Sequence, residues 1–228
     1  IDLFDQVNRK MTTVVAQAAR LAGVGRFVHV STIGVHGTWS ASDVTETSSL
    51  TGVSPYALSK IAAEKELLEI FRTSPACLYI VRPPMVYGPD CPGNFSKLVK
   101  LVKTGLPLPF ASVRAKRSFI HVRNLADFLA NCSVGSIGAG TFVIADGSDF
   151  ALPDLISGIC AELRIPNRQV PFPPSMLRIL GACIGRRQEL DSLTRPFHVD
   201  WAKARSHGWV PVLAADTALQ QSLQENAR

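Results

Sequence analysis

Tyr56 and Lys60 stand four residues apart in Tyr-Ala-Leu-Ser-Lys, a spacing that puts a phenol and an ammonium on one helix face, one turn from each other. A phenol ordinarily titrates near about 10, so it works as a base at neutral pH only where a nearby cation favours the phenolate. Lys60 is such a cation. Taken alone the pair says little, because many helices set a snorkelling lysine beside an aromatic ring. Thr32 changes its weight. It follows Arg26-Phe-Val-His-Val-Ser31, a run that reads as a strand, and a hydroxyl at a strand's carboxyl end can hydrogen-bond the same oxygen that the phenol deprotonates.

These residues need elements to hold them. Apolar residues at helical spacing over residues 5–22, closed by Gly23, predict a helix with a glycine C-cap. A second helix is predicted from Pro55, where proline suits the first turn, and a second strand over residues 77–82. Helix, strand, helix, strand is the beat of a parallel sheet with helices on its faces. Such sheets bind ligands outside the carboxyl ends of their strands, here Ser31-Thr32 and Pro83-Pro84. Beyond Pro83 the chain breaks into proline-punctuated loops around predicted helices at 94–104, from 124 and after Pro153, with strands at 118–122 and 141–144. From Pro171 it reads as short helices.

Three motifs in order, Arg26-Phe-Val-His-Val-Ser-Thr32 with Gly37, Tyr56-x-x-x-Lys60 and Arg82-Pro-Pro-Met-Val-Tyr-Gly-Pro89, resemble the extended short-chain dehydrogenase/reductases, the NAD-dependent epimerase/dehydratase family. The resemblance implies a Rossmann-like doubly wound parallel sheet with a smaller C-terminal α/β substrate-binding region. Residues 1–89 would be the later part of the dinucleotide-binding domain and 90–228 mainly the substrate region, with some elements returning to the first. It also implies NAD or NADP as cofactor, held by Asn8, Ser31, Tyr56, Lys60, Pro83 and Val86. A nucleotide-sugar substrate would meet Thr32, Asn94 and Arg117. Tyr56 would take the proton from the hydroxyl at sugar carbon 4, Thr32 would orient that oxygen, and Lys60 together with the oxidised nicotinamide would depress the Tyr56 pKa. A homodimer built from the helices at 8–22 and 55–72 is implied as well.

Departures narrow the chemistry. Related 4,6-dehydratases place Asp-Glu directly after the threonine, whereas Ile33-Gly34 stand here, so epimerisation or 4-keto reduction is expected rather than dehydration. His36 occupies a common tyrosine position, and Met85 replaces an asparagine that often touches the sugar. No Gly-x-x-Gly-x-x-Gly turn occurs in the sequence, and the resemblance puts three to four strand and helix units before the point matching Ile1, so a fragment is expected. Two other readings stand: a hydroxysteroid or small-alcohol dehydrogenase using the same three residues, and a dinucleotide-sensing regulator without catalysis. Arg117 and Asn94 speak against the first, and the retained Tyr56 and Lys60 against the second.

With 228 residues, 46% hydrophobic and 18% charged, the chain has the composition of a folded domain. The apolar stretch around residues 176–184 is cut by Arg178 and falls short of a span, and no secretory signal is visible, so a cytoplasmic protein without a membrane partner is expected. The five cysteines lack Cys-x-x-Cys spacing and read as buried thiols. The histidines show no metal-ligand spacing, so no metal is expected. The net charge of +6 is not interleaved with aromatics as nucleic-acid binding would want. Arg114, Lys116 and Arg117 cluster tightly and suit a small phosphate-bearing ligand.

Overall fold

The computed structural model describes residues 2–89, 94–183, 185–215 and 217–218, except for the side chains of Asp2 and Asn94. The first helix begins as α1 (Asp2–Phe4), passes through a π-helical segment at Asp5–Lys10 and continues as α2 (Met11–Leu21). It ends as the glycine predicts: Gly23 adopts a φ of 71°, Gly23 N–H donates to Arg20 and Val24 N–H to Ala19, which satisfies carbonyls the helix leaves open.

Strands β1 (Arg26–Val30), β2 (Cys77–Arg82) and β5 (Gly140–Val143) form a parallel sheet in the order β1-β2-β5. The register pairs Val30 with Val81 and Arg82 with Val143. Side chains alternate across the sheet. Phe27 and Leu78 pack with Ala16, Leu67 and Phe71 of α2 and α3 (Pro55–Phe71), while Tyr79, Val81 and Phe142 pack with Phe128 and Cys132 of α5 (Val122–Val134). Helices therefore cover both faces, as the doubly wound reading expects.

A second sheet, β3-β4-β6, comprises β3 (Met85–Tyr87), β4 (Lys116–His121) and β6 (Asp149–Ala151). β3 runs parallel to β4, and β6 antiparallel to it. Its core joins Tyr87, Phe110 and Phe119 to residues of α4 (Asn94–Lys103) and α6 (Leu152–Glu162). The helices α7 (Pro174–Cys183), α8 (Arg187–Thr194) and α9 (Ala202–Ser206) complete the order. Asp146, after β5, links the sheets by accepting from His121 N–H, Asn124 Nδ2 at 2.7 Å and Tyr87 Oη at 2.7 Å.

The structure adds β3 and β6, three residues each, which are too short for alternation to register. The helix expected from Asn124 starts at Val122, because the His121 ring caps it by accepting from Arg123 N–H.

Candidate functional site

The β1–β2 ladder runs past the end of β1. Ser31 N–H donates to Val81 and Ile33 N–H to Pro83, so Thr32 is bracketed by two fixed peptides. Its Oγ1 accepts from Gly34 N–H at 3.1 Å and caps the 3-10 turn Ile33–His36. A hydroxyl whose oxygen is already accepting keeps its own hydrogen to donate.

α3 begins at the opposite wall. Ser54 caps it by accepting from Ala57 N–H at 3.1 Å, and Pro55 occupies the first turn. This puts Tyr56 at the helix start, 39% exposed, its ring edge-on to Phe4 at 5.8 Å between centroids. One turn on, Lys60 Nζ reaches across to the Val30 carbonyl at 3.0 Å, immediately before Ser31 and Thr32. Gly52 is the spacer between the two walls. Its N–H donates to Val35, and a Cβ on it would lie 2.5 Å from the Gly34 oxygen and 2.7 Å from Ala57 Cβ. Asn8, on the π-helical segment, donates to Ser59 Oγ at 3.1 Å, and Ser59 Oγ donates to the Tyr56 carbonyl at 2.8 Å.

The electrostatics differ from the expectation that Lys60 depresses Tyr56. In the chain itself burial pushes the Tyr56 phenol above its ordinary value, and burial pushes the Lys60 ammonium down, opposed by Glu64. The physical reason is that burial of the phenol disfavours its charged form.

Sequence reasoning missed what fixes this geometry. Glu64, one turn past Lys60, is 1% exposed, and Arg82, at the end of β2, is 6% exposed. They pair through two contacts, 2.6 and 3.1 Å. Arg82 Nη1 also donates to the Glu46 carbonyl and lies 3.1 Å from His36 Nε2. A guanidinium only donates, so His36 Nε2 accepts and its Nδ1 donates to the Ser49 carbonyl at 3.2 Å. The network joins α3, β2 and the 3-10 turn that follows Thr32. Its signal was a second charged residue four positions after Lys60 together with an arginine closing an apolar strand.

The remaining predicted residues divide. Ser31 is buried and its Oγ has no hydrogen-bond partner among the described residues. Pro83 is buried and its carbonyl accepts from Ile33 N–H. Val86 is half-buried against the cluster of Tyr79 and Phe128. Arg117 lines a cavity of about 650 Å³ together with Met85, Leu101, Phe110 and Phe150. Its Nη1 donates to the Thr38 and Arg195 carbonyls, and its guanidinium lies 5.1 Å from the Phe197 ring centroid. Burial pushes Arg117 down to about 10. The expected cluster of Arg114, Lys116 and Arg117 does not act as a unit: the first two are exposed and only Arg117 enters the cavity wall, because neighbours on a strand point to opposite sides. The Asn94 side chain and Cys91 lie outside the described residues. Cys132 and Cys160 are buried as expected, whereas Cys77 and Cys183 are exposed. Among the described residues no His, Cys, Asp and Glu side chains gather as a metal site, and no helix is long and apolar enough to cross a membrane.

Residues 2–132 match the NAD dependent epimerase/dehydratase family. The chain is 31% identical over 229 residues to a UDP-glucose 4-epimerase of Vibrio cholerae, covering 98% of this chain and 70% of that protein. It is 25% identical to an N-acetyl-alpha-D-glucosaminyl-diphospho-ditrans,octacis-undecaprenol 4-epimerase of Escherichia coli O157:H7, covering 97% of this chain and 71% of the relative. Among solved structures, a UDP-glucuronic acid 4-epimerase from Bacillus cereus in complex with NAD superposes with a TM-score of 0.76 at 17% identity, over 96% of this chain and 66% of that one. The chain belongs to the NAD-dependent epimerase/dehydratase family.

Proposed function

We propose that this protein is an NAD(P)-dependent enzyme acting at carbon 4 of a nucleotide-activated sugar, a UDP-hexose or UDP-N-acetylhexosamine, as an epimerase or 4-keto reductase. The observation that supports this reading is that Lys60 meets the Val30 carbonyl two residues before Thr32, while Gly52 packs the turn after Thr32 against the start of α3, which carries Tyr56. The relatives' chemistry, epimerisation at carbon 4, suits that arrangement.

The residues fit a nicotinamide dinucleotide. A buried hydroxyl without a partner costs free energy unless a polar ligand group meets it, and Ser31 Oγ is such a group beside the Lys60–Val30 contact. Asn8, Ser31, Tyr56, Lys60, Pro83 and Val86 would hold the cofactor, which when bound exchanges hydride with sugar carbon 4. Tyr56 accepts the proton of the 4-hydroxyl and returns it. Thr32 donates its free hydrogen to the same oxygen. Lys60 acts on Tyr56 from one turn away, and because burial opposes the phenolate, a fixed cation nearby is what brings the phenol into use. Arg117, already desolvated and aimed by two carbonyls, would contact the diphosphate, and Asn94 its nucleotide side.

We also read residues 1–89 as part of the dinucleotide-binding domain and 90–228 as mainly the substrate region, with β5 returning to the first sheet. The exposed apolar side chains Met11, Val14 and Val15 of α2 and Leu58 and Leu68 of α3 support a homodimer through these helices.

The test is conversion of a panel of UDP-hexoses, UDP-N-acetylhexosamines and 4-keto sugars in the presence of NAD or NADP, with the sugar products separated to detect the epimer and the nicotinamide absorbance followed for net oxidation or reduction, beside Tyr56→Phe. Turnover of a UDP-sugar that falls by at least about 100-fold in Tyr56→Phe is expected, the low end of general acid–base contributions. Net consumption of reduced cofactor identifies a reductase. Failure on every sugar with cofactor binding intact refutes the assignment.

A further inference from the structure

Charge is distributed unevenly along this chain. Between Asp90 and Asp127 stand seven lysines and arginines without a carboxylate, and between Glu162 and Glu189 five more, again without one. These two stretches are laced together. Leu108 N–H donates to Arg168, Val170 N–H to Leu108 and Ala111 N–H to Val170, and Arg168 Nη1 donates to the Gly105 carbonyl at 3.2 Å. The surface they share is apolar as well as cationic. Leu106 is 61% exposed, and Leu101 and Val170 are exposed too, with Lys100 and Lys103 on the same turns of α4.

α7 follows directly. Leu177 and Gly181 are buried on one side, where a Cβ on Gly181 would meet Leu190 of α8 at 2.6 Å. The other side presents Met176, Ile179 and Leu180, the isoleucine 62% exposed. Helix positions i, i+3 and i+4 form one stripe, here facing solvent.

We propose that this face, formed by α4, the 104–111 and 164–170 segments and α7, docks on an anionic phospholipid surface. Its chemistry distinguishes that partner from others. Aliphatic side chains beside lysines and arginines are what a helix needs to sink into a bilayer interface while its cations meet headgroup phosphates. A nucleic-acid surface would interleave aromatics for stacking, and the exposed large side chains here are aliphatic. No carboxylate in either stretch repels the lipid. Lys97 and Leu101 of α4 also line the Arg117 cavity, whose wall carries Arg186 paired with Glu189.

The experiment is co-sedimentation of the whole protein with phosphatidylcholine vesicles, with and without phosphatidylglycerol. Retention on the phosphatidylglycerol vesicles, lost as salt is raised, and none on phosphatidylcholine alone is expected. A surface cation contributes about 1 kcal/mol to such binding, so Lys100→Gln with Lys103→Gln lowers partitioning by about 30-fold. Ile179→Ser with Leu180→Ser lowers it as well. Lys65→Gln with Arg72→Gln, exposed cations in α3 and at its C-cap, leaves it within about 2-fold, since neither belongs to the proposed face. The inference is overturned by no retention on anionic vesicles at low salt, by equal retention on neutral ones, or by an equal loss in the α3 pair. None of these readouts depends on sugar turnover, so the proposed activity stands or falls separately.

Discussion

Replacing Glu64 by glutamine tests whether the buried ion pair sets the geometry of the site. In the folded protein the carboxylate takes two contacts from Arg82, at 2.6 and 3.1 Å, with side-chain exposures of only 2% and 7% for the pair. Removing one partner of a buried pair leaves the other charge uncompensated, at about 3–5 kcal/mol. In Glu64→Gln the new amide still offers one acceptor, and Arg82 keeps the Glu46 carbonyl and His36 Nε2, so the low end, about 3 kcal/mol, is expected. For a chain of this size that is a fall in Tm of about 6–12 °C. Thermal unfolding by circular dichroism reads it directly. The double variant Glu64→Leu with Arg82→Met, which leaves no orphaned charge, should recover much of the loss. Turnover should suffer in the double variant, because Arg82→Met removes the donor to His36 and the Glu46 carbonyl and so no longer steadies the 3-10 turn behind Thr32. A melting temperature within about 2 °C of the parent in Glu64→Gln, less than the shift about 1 kcal/mol would produce, would refute the reasoning.

Two further outcomes follow from the same contacts. His29 is buried on β1, and burial, with Lys60 second, pushes it down to about 4. The unfolded chain therefore binds the proton near about 6.5 and the folded one only near about 4. Stability from neutral His29 is complete above about pH 6.5 and lost as pH falls through about 4, a span worth about 3 kcal/mol. His36, pushed down by burial and by Arg82, adds in the same direction. Urea unfolding of the parent and His29→Leu across that window should show a weaker loss of stability toward acid in the variant, and parallel curves would remove His29 as the cause. Gly52→Ala places a methyl against the Gly34 oxygen and Ala57 Cβ, prying the Thr32 turn from the start of α3. Overpacking of this kind costs about 1–3 kcal/mol, and displacement of reacting groups should reduce kcat by at least about 10-fold. An unchanged kcat would show that the two walls move independently.

Local spacing settled much of this protein in advance. Tyr56 and Lys60 share a helix face because four residues make about one turn. α3 starts at Ser54-Pro55 because a hydroxyl cap and a fixed φ suit a first turn, and Gly23 stops the first helix because it tolerates a positive φ. The apolar run of β2 marked a strand buried in a parallel sheet, and the order of three motifs marked the family. Tertiary structure decided the rest. The hydrogen that Thr32 keeps free depends on Gly34, whereas Arg117 is held by carbonyls 78 and 79 residues away. Glu64, Arg82 and His36 meet only because α3, β2 and the turn after β1 converge. The phenol of Tyr56 is pushed up rather than down because of burial, a property of packing. A sequence sets what each element can present, but desolvation and long-range hydrogen bonds exist only once the elements are pressed together.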